Sequence, residues 1–428
     1  MDLRHTHLHI AIPAMDELEW LPKTLQAIAE AAPLYSTELP QAHLTVYICV
    51  NQPDEWWNDS VKIRVCQDNA ALLEHLRSET RFPIVILDNS SPGKGWKGKD
   101  YGVGWARKTL FNKILESSDP SDLIVSMDAD TAFHPNYLVS VMNTMESHPE
   151  WVALSIPYYH RCTGDADTDK AMLHYEIYMR NYALNMLYIQ SPYNFTALGS
   201  AIVVRAAALR KIGGITPMKS GEDFYLLQKL RKMGPVGTWN PECVFPATRT
   251  SDRVIFGTGP AIQHGAEGDW GSYPIYSHRQ FAKVAHTYQQ IEQLYTEDLD
   301  TEFIHFLQQQ FKQTDLWSTI RANVKDSVQF TRAFHEKADG LRILQFLKME
   351  QKREPQPDAQ NLRDNLKYFL TNEEWEKAAP LFCSDKDLSD YSADELSIIR
   401  EIMFEKEMQI RAAEVRTATC RPDRQPRR

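Results

Sequence analysis

The stretch Leu123-Ile-Val-Ser-Met-Asp-Ala-Asp130 decides the fold. A short apolar run delivers two carboxylates, Asp128 and Asp130, two residues apart, and in extended backbone residues i and i+2 point to the same side. Open α/β sheets bind ligands just beyond the carboxyl ends of their strands. A pair of hard oxygen donors there suits Mg2+ or Mn2+, with room left for substrate phosphates. The same aspartates also read as caps of a turn and helix that Thr131 to Pro135 would start.

Outward from this run, apolar stretches alternate with amphipathic ones, the pattern of an α/β domain. Leu8-His-Ile-Ala-Ile-Pro13 reads as a strand ending at a proline, and the spacing of Leu18, Leu21, Leu25 and Ile28 predicts a helix over 17–32. Further strands are expected at 44–50, 84–87 and 201–204. A Gly/Lys-rich segment from Ser91 to Gly104 leads into a helix, and a helix over 206–212 stops at Gly213-Gly214. From about Tyr276 glycine becomes scarce and apolar residues recur at three- and four-residue intervals, as in Ile304, Phe306, Leu307 and Phe311. The expected organisation is an α/β domain over 1–275, an all-α region over 276–416, and a basic, proline-containing flexible tail over 417–428.

The net charge of −10 argues against general nucleic-acid binding, which needs a basic face. Six scattered cysteines give no CxxC pair and no disulfide framework. The first residues lack the apolar segment of a signal peptide, and no run of about 18 apolar residues offers a transmembrane segment. The reading is a reduced, cytoplasmic protein.

A second block carries chemistry. Gly199-Ser200 precedes a predicted strand, and Ser220-Gly221-Glu222-Asp223 precedes a helix predicted by Phe224, Leu226, Leu227 and Leu230. A carboxylate at a helix N-terminus is stabilised by the macrodipole and serves as a cap. It also serves as a general base when an acceptor hydroxyl comes within hydrogen-bond reach. On the residues alone both readings stay open.

Taken together, these segments resemble the GT-A nucleotide-sugar glycosyltransferases, most closely family 2. Ile12-Pro-Ala-Met-Asp-Glu17 is similar to the opening motif of that family, and Gly102-Val-Gly-Trp-Ala-Arg-Lys108 to its Gly-x-x-x-Ala-Arg-Asn helix start. Asp128-Ala-Asp130 matches the DxD motif. Gly199-Ser200, Arg205, Leu209, Gly213-Gly214 and Gly221-Glu222-Asp223 match the acceptor-side block. Met15 and Lys108 depart from the usual Tyr and Asn, and the QxxRW motif of processive synthases is missing. The likeness ends near Tyr276.

The resemblance implies a mixed sheet of Rossmann type flanked by helices, and a metal-dependent transfer of a sugar from a nucleotide-diphospho-sugar to a saccharide or other hydroxyl acceptor, with inversion. Pro13, Ala14 and Glu17 would line the base and ribose. Lys94, Lys97, Lys99 and Arg107 would meet the diphosphate. Asp128 and Asp130 would hold Mn2+ or Mg2+ beside the donor, with His264 as a third ligand. Asp223 would be the catalytic base, with Glu222 beside it. The polar, glycine-rich segment Thr248 to Gly259 reads as a lid, and Trp270 as a sugar-stacking or core residue. Tyr158, Tyr159, Tyr175, Tyr178, Tyr182 and Tyr188 read as an acceptor wall or as helix packing. The helical region reads as an acceptor platform or as a face for a protein partner. Two other functions use the same features: a sugar-1-phosphate nucleotidyltransferase, against which the absence of a glycine-rich first loop counts, and a catalytically inactive binding module.

Overall fold

The structure, a computed structural model, describes residues 6–249, 258–383 and 386–419. The lid expected over Thr248 to Gly259 falls mostly on 250–257, outside the described residues, as do 420–428 of the basic tail.

Apolar runs form the strands β1 (His7–Ala14), β2 (His43–Asn51), β3 (Ile84–Asn89), β4 (Leu123–Ser126), β5 (Thr131–Phe133), β6 (Ala153–Ser155), β7 (Ile202–Arg205), β8 (Val236–Gly237) and β9 (Val244–Pro246). Seven make one sheet in the order β3-β2-β1-β4-β7-β6-β8. The β1–β2, β2–β3, β1–β4 and β6–β8 pairs are parallel, whereas β7 runs antiparallel to β4 and β6. The central strands are buried over most of their length, as Leu8, Ile10, Ile12, Val46, Ile48, Leu123 and Val125 show, which fits strands covered on both faces.

The helices among and just after these strands are α1 (Leu21–Glu38), α2 (Ile63–Arg77), α3 (Val103–Leu115), α4 (Tyr137–Ser147), α5 (Ala166–Ile189), α6 (Ala206–Lys211), α7 (Glu222–Met233) and α8 (Thr258–Ala266). They are followed by α9 (His278–Tyr288), α10 (Ile291–Leu294), α11 (Glu302–Phe311), α12 (Ser318–Asn323), α13 (Ser327–Lys337), α14 (Gly340–Arg353), α15 (Asp358–Phe369), α16 (Asn372–Ala378) and α17 (Ala393–Thr419). This is the expected class, an α/β sheet domain of GT-A type with a helical C-terminal region. Among the described residues, no helix is long and apolar enough to cross a membrane.

One local expectation is corrected. Thr131 to Pro135 does not start a helix: Thr131–Phe133 is strand β5, paired antiparallel with β9, and the next helix begins only at Tyr137. The backbone of Thr131–Phe133 finds its hydrogen bonds in a strand more than 100 residues away in sequence, a partner that local propensity does not register.

The chain forms two compact units, Met1–Thr168 with Ala197–Gln263, and Asp169–Thr196 with His264–Arg428. The second is held by amphipathic helices and by a buried ion network. Arg180, fully buried, donates to Glu176 Oε1 (2.6 and 2.9 Å) and to Glu407 Oε2 (2.9 Å), and Arg411 Nε donates to Glu407 Oε1 (2.8 Å). Four charged side chains buried together need such mutual pairing to be tolerated at all. Asn365 adds neutral bonds to Asn181 Oδ1 (2.6 Å) and the Tyr276 carbonyl (2.9 Å).

Candidate active site

The register of the sheet builds the site. Ser126, the last residue of β4, lies opposite Ala11 of β1 on one side and Ile202 of β7 on the other. The Met127 N–H still bonds the Ala11 carbonyl (3.0 Å), so Asp128 and Asp130 emerge just past the sheet edge. Because β7 runs antiparallel, its leading residues Gly199 and Ser200 lie at the same edge. The Ser200 hydroxyl donates to Asp128 Oδ2 at 2.6 Å.

Helix α3 brings in Arg107. Gly104, in its first turn, faces the backbone of Met218 so closely that any Cβ would collide with it. This sets α3 against the segment that leads into α7. One turn on, the buried Arg107 guanidinium donates from Nη2 to Asp128 Oδ1 and from Nη1 to Glu222 Oε1. It lies over Gly199, where a Cβ would overlap its terminal nitrogens. Burial works against the Arg107 charge, but Asp128, Glu222 and Asp223 together hold the guanidinium above its ordinary range.

Helix α7 carries Glu222 and Asp223 in its first turn behind Gly221, whose φ of 79° is the left-handed conformation that favours glycine. The N-cap is Gly221, which has no side chain to cap α7, so the carboxylate pair sits one and two residues inside the helix rather than at the N-cap. Glu222 is buried on Arg107. Asp223 is half-buried and accepts the Phe224 N–H at 2.7 Å. Burial, and after it the Glu222 charge, push the Asp223 carboxyl up to about 7, against the pull of Arg107 and that N–H.

A second cation stands on the other side of the aspartate pair. Arg249, just after β9, donates from Nε to Asp130 Oδ2 (2.7 Å) and from Nη2 to both oxygens of Glu17 (2.6 and 2.9 Å). Its guanidinium lies 5.2 Å from the centroid of the Trp20 ring. Glu17 is itself buried beyond the end of β1. The turn that places it passes through Asp16, left-handed at φ 59° and held by Asn69 Oδ1 (3.0 Å) and the Arg64 guanidinium (2.7 Å).

The other expected residues fall as follows. Pro13 and Ala14 close β1, and the Ala14 carbonyl accepts Asn51 Nδ2 (2.9 Å). Lys94 pairs with Asp88 (2.9 Å), while Lys97 and Lys99 are exposed on the loop before α3. His264 lies on α8 in the second unit, its Nδ1 3.6 Å from Asp269 Oδ2. Trp270 packs on the His174 ring at 4.4 Å. Tyr175 and Tyr178 stack at 6.2 Å, and burial raises the Tyr178 phenol to about 12 and pushes up that of Tyr182 as well, which is helix packing. Reading the residues alone assigned no part to Ser200 and did not single out Arg249. Both sat inside quoted segments, but nothing local marks a hydroxyl or an arginine as the partner of a distant aspartate.

Within the first unit, then, five carboxyl groups (Glu17, Asp128, Asp130, Glu222, Asp223) share the cations Arg107 and Arg249. Among the described residues no group of three or more His, Cys, Asp and Glu side chains forms a ready metal cage. A Mg2+-type ion needs only one or two protein carboxylates beside substrate phosphates and water. Asp128 and Asp130, partly exposed at 34% and 17% of their side chains in a cluster of excess negative charge, fit that demand.

A sheet with acidic residues gathered beyond its central strand, and an acid-bearing helix start brought beside them by an arginine, is consistent with a GT-A-type domain. Residues 123–256 match the model of glycosyl transferase family group 2, which supports a family 2-like glycosyltransferase domain. No curated protein matches the chain.

Proposed function

We propose that this chain transfers a sugar from a nucleotide-diphospho-sugar to an acceptor hydroxyl with inversion, Asp223 acting as base beside a Mg2+ or Mn2+ held by Asp128 and Asp130. The observation that carries this reading is Arg107 bridging Glu222 at the start of α7 to Asp128 at the end of β4, next to an Asp223 carboxyl raised to about 7. A base with its pKa near neutrality combines the correct protonation state with useful proton affinity.

In the step itself, the acceptor O–H proton passes to an Asp223 carboxylate oxygen. The acceptor oxygen attacks the anomeric carbon, and the bond from that carbon to the diphosphate breaks with its electron pair leaving on the nucleoside diphosphate. The metal, when bound, supplies positive charge to the leaving diphosphate. Pro13, Ala14 and Glu17 meet the nucleoside, and Lys99 reaches the phosphates from its exposed loop. Arg107 and Ser200 act through Asp128, fixing its carboxylate against rotation, and Arg107 holds Glu222 so that its charge presses on Asp223.

The pH dependence follows with a definite sign. Only the ionised form of Asp223 accepts a proton, so kcat/KM rises with pH through about 7 and levels above it. Release of nucleoside diphosphate from a panel of UDP- and GDP-sugars, measured with Mn2+ between about pH 5 and 9, reads this. A profile flat across that range removes Asp223 as the base. NMR of the product anomer tests inversion, and a retained configuration rules out the single in-line step.

A further inference from the structure

We propose that Arg249 is a built-in counter-ion that occupies the Asp130 side of the divalent-cation site and must leave Asp130 for the metal to load. The inference rests on the reading above that Asp128 and Asp130 hold Mg2+ or Mn2+. It adds a residue that governs when they do so.

Three observations carry it. First, Arg249 donates Nε–H at 2.7 Å to Asp130 Oδ2, one of the two oxygens with which Asp130 would hold a metal ion. Second, the same guanidinium is clamped on Glu17 through both carboxylate oxygens, so Arg249 is held in place by a buried acid that is not one of the aspartate pair. Third, the Arg249 side chain is only 20% exposed, and Asp130 and Glu17 hold its charge in place against the effect of burial. A divalent ion and a guanidinium on one carboxylate oxygen repel each other strongly where little water screens them.

Arg249 is therefore a competitor for Asp130 with an effective concentration fixed by the chain. Its tie to Glu17 lets it swing off Asp130 without losing every partner. Metal loading and the Arg249–Asp130 bond oppose each other, and the coupling is reciprocal. Removing the arginine should raise metal affinity, the reverse of what is expected when a side chain helps to build a metal site. The Trp20 indole, with the guanidinium near its ring, gives a second signal for the departure.

The test is calorimetric titration of the full chain with Mn2+ alone, comparing wild type with Arg249→Gln, Arg249→Lys and Asp130→Ala. The expected result is Arg249→Gln binding Mn2+ about tenfold more tightly than wild type, within the ordinary range of coupling between opposed sites. Arg249→Lys, which keeps a charge but lacks the fork, falls between them, and Asp130→Ala loses binding. Mg2+ added to wild type changes the tryptophan fluorescence, and that change disappears in both Trp20→Phe and Arg249→Gln. If wild type binds Mn2+ and Arg249→Gln binds it equally or more weakly, the counter-ion role is wrong while the metal site stands. If neither wild type nor Arg249→Gln binds Mn2+, with UDP or GDP present or absent, the metal reading falls and the counter-ion role with it. Arg249→Lys, the milder change, carries the comparison by itself should Arg249→Gln not fold.

Discussion

Asp223→Asn is expected to lower the transfer rate about 10²- to 10⁴-fold, the usual loss when a positioned general base is removed. Asn keeps the shape and can still accept the Phe224 N–H, so the start of α7 is retained. The variant should be no less stable than the wild type, because burial already disfavours the Asp223 charge. The linkage has a definite sign. The folded-state pKa, near 7, lies above the ordinary aspartate value of 3.8, so the folded protein holds its proton more tightly. The stability this contributes is fully present below about pH 4 and is lost as pH rises through about 7. Urea denaturation at several pH values should show this decline in wild type and a shallower one in Asp223→Asn. A variant that retains wild-type turnover, or that collapses in stability, would show Asp223 to be a structural residue.

Arg107→Ala should have the largest effect on stability in the catalytic unit. It leaves Glu222, buried with its side chain 3% exposed, without the guanidinium that matches its charge, and it frees Asp128 at the same time. Breaking a buried ion pair by removing one partner costs about 3–5 kcal/mol, because the remaining charge is left uncompensated. The loss should be partly recovered in Arg107→Ala with Glu222→Gln, since the stranded charge is then gone. A double-mutant cycle in urea separates this coupling from the lost packing over Gly199. Additive losses in the two single variants would mean that Arg107 and Glu222 do not depend on each other. The sequence resemblance placed Arg107 among the donor-binding residues, whereas its burial between two carboxylates assigns it first to holding them.

How far the sequence alone reaches depends on the range of the interaction. Strands β1, β2 and β4 are legible because each is a compact apolar run buried on both faces, and the carboxylates follow β4 within four residues of its end. The start of α7 is legible too, since Gly221 and the apolar spacing after it mark a helix with acids in its first turn. What escapes is the pairing. Arg107 meets Glu222 across 115 residues, and Arg249 meets Asp130 across 119 and Glu17 across 232. The short strand β5 was misread for the same reason, its partner β9 lying far along the chain. A charged residue states its chemistry locally but not its counter-ion, so the acids stand out, Arg107 reads as a donor contact rather than their partner, and Arg249 is not singled out.

The most direct test of the central claim is calorimetric titration of the full chain with UDP and with GDP, each with and without Mn2+. A nucleotide-sugar site at the end of β4 predicts that one of the two binds, that Mn2+ strengthens the binding by at least about tenfold, within the usual range of coupling between ligands, and that Asp130→Ala abolishes the strengthening. If neither nucleotide binds under any condition, or binding with Mn2+ is the same in Asp130→Ala as in wild type, the donor site is not where the acidic cluster puts it.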